Sequence, residues 1–187
     1  MLTGVTSTTK ENLQLGAGII TTTYTKGGTI SKESIISATR GGGSFTAVPT
    51  LRQIEADGLP QNVKGMEVID DYVVTLNTTL IEFTADTLKM ALPGAYLETD
   101  GSIKCKHEIA DAEYKDIYWV GDLADGTNIA IKIKNALNNG GLNITISNKG
   151  EGTFALSLIG HYSLDKLNEP PFEIIRLIWA LEILLEN

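Results

Sequence analysis

The chain has 187 residues and a mass of 20.1 kDa, with 42% apolar and 20% charged residues, as expected for one ordinary globular domain. Fifteen basic residues against 23 acidic ones give a net charge of −8. This balance argues against a nucleic-acid binder and against an anionic membrane surface, because both need Lys and Arg to displace counterions. The single cysteine, Cys105, excludes an internal disulfide.

The first residues, Met1 to Gly4, have neither the basic start nor the apolar run of a secretory signal. No stretch reaches the roughly 20 apolar residues of a membrane span. We therefore expect synthesis in a bacterial-type cytoplasm, or a particle assembled there.

Residues 1–43 are polar and rich in Gly and Thr. Apolar residues alternate loosely with polar ones between Asn12 and Thr25, which predicts a strand or two, and 31–38 could close a short helical turn. We interpret 1–43 as an N-terminal arm that precedes a β domain at 44–174.

Two strands and a long connection follow. Ser44 to Ala56 is strand-like, although Pro49 indicates an edge or a bulge. Met66 to Phe83 is the longest strand signal in the chain, with apolar residues on both parities, against a usual strand of about five or six residues. The sequence therefore predicts an over-long β-hairpin. Its connection has many turn formers: Asp57, Gly58, Leu59, Pro60, Gln61, Asn62, Val63, Lys64 and Gly65.

A helix is predicted at 84–92, because Thr84 can cap it, Asp86 suits its first turn, and Pro93-Gly94 ends it. The later segments predict further strands at 102–107, 116–123, 128–134, 142–147 and 152–162. The fold class is therefore mainly β, an antiparallel sandwich or barrel with one short flanking helix.

The last segment differs from the rest. After Pro170-Pro171, apolar residues recur at three- and four-residue spacing over 172–185, which predicts an amphipathic C-terminal helix. We interpret 175–187 as an apolar extension of the domain.

The motifs of catalysis and of cofactor binding are missing from the sequence. There is no Gly-x-Ser-x-Gly, and no Gly-Lys-Ser or Gly-Lys-Thr follows a glycine cluster. His107 and Cys105 would need at least one further ligand to hold a metal, and His161 is interpreted as structural. Adjacent residues on a strand point to opposite faces, so Asp70 and Asp71 are not expected to meet at one site. We expect no enzyme, catalytic residue, metal or cofactor.

The chain nevertheless resembles a known family over about residues 12–174. The similarity is distributed over several segments: 12–18, 38–45, 52–58, 63–65, 134–138, 149–154 and 160–162. Together they are similar to the major tail tube proteins of long-tailed phages and prophages of Gram-positive bacteria.

The resemblance implies a subunit that forms six-membered rings, whose sheets join into one inner β-barrel and which stack into a tube. Double-stranded DNA would pass through the channel without specific binding during genome ejection. Other implied partners are the tail initiator or baseplate, the tape-measure protein and the tail terminator. The location would be the virion tail, assembled in the host cytoplasm and not attached to a membrane. The connection at 57–65 would reach a neighbouring subunit or ring, and acidic residues would face the channel: Glu55, Asp57, Asp70 and Asp71.

Two other interpretations remain open. A tube protein of a contractile bacteriocin or of a type VI-like secretion apparatus would have the same fold and ring. A monomeric β-sandwich that binds a ligand is the alternative of a different class, but the aromatic residues, at 6%, are dispersed along the chain.

Overall fold

The computed structural model of the chain describes residues 4–176. They form a mainly antiparallel β fold with one short α-helix, which confirms the predicted fold class. The elements in chain order are β1 Gln14–Thr21, β2 Ile35–Ser37, β3 Thr39–Gln53, β4 Glu67–Leu80, α1 Ala85–Ala91, β5 Ala95–Leu97, β6 Ile103–Cys105, β7 Lys115–Leu123, β8 Asn128–Asn138, β9 Asn143–Thr145, β10 Thr153–Ile159 and β11 Phe172–Arg176.

The strands form two sheets that share β8. One sheet has the order β2-β1-β7-β8-β11, and the other joins β3, β4 and β10 to β9 and to the end of β8. β5 and β6 form a separate small hairpin.

A bulge lets β8 serve both sheets. The pairing with β7 shifts register between Ile117 and Lys115, and Asn135 in β8 has a positive φ of 48°. The Asp116 carboxylate fixes this point, because it accepts a hydrogen bond from the Asn135 amide at 3.1 Å and pairs with Lys132 at 2.7 Å. The hydrogen bond between the Lys132 ammonium group and the Asp116 carboxylate raises the pKa of Lys132. Such a bulge bends a strand and lets it pass from one sheet to the next.

The core lies between the two sheets. It takes residues from β1, β7 and β8 on one side and from β4 and β10 on the other, with one residue of α1 at its margin. Its members are Ile20, Val74, Leu76, Leu80, Ala91, Ile117, Ile133, Ala136, Phe154, Leu156 and Leu158. Because a single cluster of buried core residues comes from both sheets, the two sheets form a β-sandwich.

Most predicted elements are present, with shifted bounds. The hairpin strands are 39–53 and 67–80 instead of 44–56 and 66–83. α1 begins at the predicted cap, since the Thr84 hydroxyl accepts from the Thr87 amide at 3.2 Å. A strand also lies within 1–43, where β1 pairs with β7; the division of the chain into arm, domain and extension stays a prediction.

The predicted C-terminal helix is wrong where the structure describes it. Residues 172–176 form β11, which pairs with Ile129 to Ile133 of β8. The open edge of β8 supplies backbone partners that a helix would leave unused, and the β-branched Ile174 and Ile175 suit a strand. The remainder of that prediction, 177–185, lies outside the described residues.

The core predicts a large effect of one truncation. Leu156→Ala removes a side chain that is 1% exposed, so we expect it to lower the free energy of unfolding by about 2–5 kcal/mol. Leu164→Ala is the matched control, because Leu164 is 91% exposed, and it should change stability by less than about 0.5 kcal/mol. Urea denaturation of both variants at one dilute protein concentration measures the difference. Equal values would contradict this assignment of the core.

Candidate functional site

Reactive side chains do not converge in the described part of the chain. Cys105 and His107 are exposed, and the His161 Nδ1 lies 3.0 Å from the Asn135 carbonyl oxygen. Among residues 4–176, no group of three His, Cys, Asp or Glu side chains is placed to hold a metal. No helix in that range is long and apolar enough to cross a membrane. The unusual feature is instead the β3–β4 hairpin.

This hairpin is much longer than the sheet that supports it. β10 pairs with residues 75–80 of β4, so within residues 4–176 the only strand partner of residues 67–74 is β3. At roughly 3.3 Å per residue, about 25 Å of two-stranded ribbon extends past the end of β10. An isolated two-stranded ribbon is at best marginally stable in water.

The extended ribbon exposes apolar pairs on both of its faces. Val48 lies opposite Val73 on the outer face, and these side chains are 57% and 51% exposed. Leu51 lies opposite Ile69 on the face that continues the core side, with exposures of 56% and 52%. Apolar residues on both faces mean that water is not the environment for which this ribbon is suited.

The free edge of β3 is defined by hydrogen bonds on the other side of β4. The Tyr72 amide donates to the Tyr162 hydroxyl at 2.7 Å, and the Val74 carbonyl accepts from the Gly160 amide at 3.1 Å. Both groups therefore point away from β3, and Pro49 and Ala47, which lie opposite them, direct their own backbone groups to the free edge. Ala47 thus presents a free N–H at the edge, whereas Pro49 has none.

The outer face of β3, β4 and β10 is polar but almost uncharged near the body of the domain. It presents Ser44, Thr46, Thr75, Asn77 and Ser157, and the Ser157 hydroxyl lies 2.7 Å from Asn77 Oδ1. Toward the hairpin tip, the first charged groups along this face are Arg52, Asp70 and Asp71. At the other end of β3, the exposed Arg40 pairs with Glu151 at 3.0 Å.

The predicted acidic residues lie in two places. Glu55 and Asp57 are exposed at the end of the hairpin, whereas Asp70 and Asp71 occupy a register shift in β4. Asp71 lies opposite Thr50, and the Asp70 carboxylate accepts from Arg52 Nε at 2.9 Å. Thr50 and Arg52 share a face, so the expectation that Asp70 and Asp71 point to opposite faces is wrong. The bulge explains it, because two residues of β4 there oppose one of β3.

The predicted connection, 57–65, forms a closed tip on the hairpin. The Leu59 amide donates to the Ala56 carbonyl at 3.1 Å, and the Met66 amide donates to the Val63 carbonyl at 3.0 Å. Gly58 and Gly65 have positive φ angles of 82° and 87°, which glycine adopts without strain. Leu59 is 46% exposed at this tip.

The exposed apolar pairs and the free edge of β3 were not predicted as surfaces from the sequence. A signal for the pairs existed, because apolar residues on both parities of one strand indicate two faces that need cover. No sequence signal pointed to the Tyr162 hydroxyl, which is 90 residues from Tyr72.

No protein-family model and no curated protein matches the chain. Among solved structures, it is similar to a chain of the virion of a native gene transfer agent particle, with 13% identity, coverage of 87% of this chain and 96% of that chain, and a TM-score of 0.39. It is also similar to a chain of the tail of an empty gene transfer agent particle, computed with C6 symmetry, with 15% identity, coverage of 79% and 92%, and a TM-score of 0.34. At these values the comparisons assign neither a family nor a function.

The edge geometry predicts the effect of removing one hydroxyl. Tyr162→Phe leaves the Tyr72 amide without its partner, so we expect a loss of about 1 kcal/mol of stability and faster hydrogen exchange in residues 70–74. Tyr96→Phe is the control, since Tyr96 is 41% exposed on the separate β5–β6 hairpin. Unchanged exchange at Tyr72 in the first variant would show that the hydroxyl does not protect this edge.

Proposed function

We propose that this chain is a structural subunit of a phage-type tail tube, in which six copies form a ring and the rings stack around a channel for double-stranded DNA. The subunit belongs to the virion tail and assembles in the cytoplasm of a bacterial host. The observation that supports this most is the β3–β4 ribbon, whose free β3 edge and exposed Leu51–Ile69 pair are not covered by other described residues. A surface of this kind is typical of an assembly contact.

The directions of the strands allow a closed ring. In the sheet of β3, β4 and β10, each neighbouring pair is antiparallel, and β9 and the end of β8 are antiparallel to β10. The two edges of this sheet therefore run in opposite directions. When copies are related by rotation about one axis, β3 of one copy meets the opposite edge of the next in antiparallel orientation. A sheet closed in this way has no free edges.

The outer face of this sheet suits a channel wall. Its hydroxyl and amide groups are uncharged near the body, and its acidic group without an ion-pair partner among the described residues is Asp71. The exposed Arg52 of this face is paired with Asp70 at 2.9 Å, so the wall offers DNA little counterion release and DNA gains little by binding to it. The outer face, including the exposed Val48–Val73 pair, therefore lines the channel in this proposal, and the core side of the ribbon, with Leu51 and Ile69, contacts a neighbouring subunit.

The free edge provides the test of ring formation. Ala47→Pro removes the N–H that residue 47 presents at the free edge of β3. The backbone nitrogen of Ala47 points away from β4, as that of the native Pro49 does, so the proline ring would not displace a hydrogen bond to β4. We expect this variant to keep its unfolding free energy as a monomer but to lose the six-subunit rings that the unmodified chain forms. Light scattering and negative-stain electron microscopy of concentrated protein measure the rings.

Thr46→Pro is the matched control for this experiment. The Thr46 N–H faces β4, so its loss should lower the unfolding free energy by about 1–3 kcal/mol. Rings in the Ala47→Pro variant at the yield of the unmodified chain would refute edge pairing, and a chain that remains monomeric at every concentration would refute the tube proposal.

The channel wall is tested by reversing one charge. Asp71→Lys should leave ring assembly intact and increase the amount of short duplex DNA retained by assembled protein several-fold at low salt, with a loss of binding as salt rises. Asp165→Lys makes the same charge change on an exposed loop outside the sheet. Equal retention by the two variants would contradict a channel position for Asp71.

A further inference from the structure

The sheet of β1, β7, β8 and β11 has a second face that is turned away from the core, and we call it the back face. Ile117 of β7 and Ile133 of β8 lie opposite each other and belong to the core. Because side chains alternate along a strand, Val120 and Ala130 point to the back face, where they lie opposite each other. Both are buried, with exposures of 3% and 0%, although neither belongs to the core cluster. Their burial therefore needs cover on the back face.

These two residues are the middle of a longer apolar row. Ile19 of β1 lies opposite Val120, and Ile175 of β11 lies opposite Ala130. The two outer members, Ile19 and Ile175, are half-buried. The back face thus carries four apolar side chains in line across four neighbouring strands, which we call the apolar row. A sheet face with such a row is normally packed against a further layer of structure.

Strand neighbours alone do not bury an alanine in this fold. Ala155 of β10 lies on the outer face of its sheet, with β4 on one side and β9 on the other, and it is exposed. Ala130 is likewise flanked by β7 and β11 but is 0% exposed. The difference indicates that a layer covers Ala130 and not Ala155.

Two described segments near the back face do not account for this cover. A segment lying on the apolar row would bury part of itself, but residues 4–13 include no buried residue, and only Thr9 among them is half-buried. The loop after β1 contacts the back face through Tyr24, whose ring centre lies 6.1 Å from that of Tyr118. Tyr118 belongs to the neighbouring row, two residues along β7 from Val120 and thus about 7 Å away at roughly 3.3 Å per residue.

The residues after β11 start beside the apolar row and have the composition to cover it. β11 ends at Arg176, directly after Ile175 of the row, and the Arg176 guanidinium donates to Asn12 Oδ1 at 2.7 Å. Eight of the nine residues at 177–185 are apolar. Their three- and four-residue spacing is typical of a single apolar stripe, and its members are Leu177, Ile178, Leu181, Leu184 and Leu185.

We infer that residues 177–187 turn back from β11 and lie across the back face, with the apolar stripe on the apolar row. The lengths agree, because these 11 residues span about 16 Å even in helical form, and the row extends over three strand spacings, about 14 Å. Both partners belong to one chain, so the inference does not depend on the proposed tube. With the back face covered, apolar association between subunits is directed to the β3–β4 ribbon.

Thiol labelling of the full chain tests the inference. In a Cys105→Ser background, Ala130→Cys supplies the only thiol and places it under the cover, so dilute protein should react slowly with a maleimide. Adding Leu181→Asp and Leu184→Asp puts two charges into the apolar stripe. We expect the labelling rate to rise by about tenfold or more, since a buried thiol becomes reactive only when it is exposed.

Two controls accompany this experiment. Ala180→Asp with Asn187→Asp adds the same charge to the segment outside the stripe and should leave the rate low, and Ala155→Cys in place of Ala130→Cys should react fast throughout. Fast labelling of Ala130→Cys with the native segment, or equal rates with the stripe and control substitutions, overturns the inference. A rate that falls as the protein concentration rises assigns the cover to a second copy and also overturns it.

Limited proteolysis provides a second measurement that needs no cysteine under the cover. Chymotrypsin, which cuts after Leu and Trp, should cleave residues 177–185 slowly in the folded, unmodified chain, because docked segments resist cleavage. Ile175→Asp places a charge in the apolar row and should make this cleavage several-fold faster. Ile174→Asp is the matched control, since Ile174 lies on the other face of the same strand and is 56% exposed. Equal cleavage in the two variants, or rapid cleavage in the unmodified chain, contradicts docking on the back face.

Discussion

The structure depends on a mismatch in length between β4 and the strand beside it. β4 has 14 residues and β10 has seven, so the core covers one half of the β3–β4 hairpin and leaves the other half with apolar side chains in water. Burial of apolar area is the main favourable term in folding, and this half of the hairpin does not obtain it within one chain. The free energy that would result from covering the ribbon is therefore available to a contact between subunits.

The body of the domain holds the ribbon in a fixed direction. β8 contributes to both sheets because its bulge at Asn135, fixed by Asp116, turns it from one sheet into the other. β10 and β11 meet at the same place, where Lys134 bonds the backbone of His161 and of Pro171. The hydroxyl of Tyr162, just after this junction, accepts a hydrogen bond from the Tyr72 amide. This hydrogen bond thus connects the junction of the two sheets to the part of β4 where the ribbon begins.

The sequence alone determined the strand-rich class, the over-long hairpin and α1, because alternation, turn residues and the Thr84 cap are local signals. The sequence also has apolar residues at both odd and even positions of β4, which indicated that both faces of this strand carry apolar side chains. The structure decided the rest: β11 in place of a helix at 172–176, both acidic side chains of Asp70 and Asp71 on one face, and the backbone direction of Ala47. Each of these depends on a partner distant in sequence, namely the edge of β8, the register with β3 and the Tyr162 hydroxyl. Local patterns do not encode such pairings, since tertiary contacts select among the conformations that propensity allows.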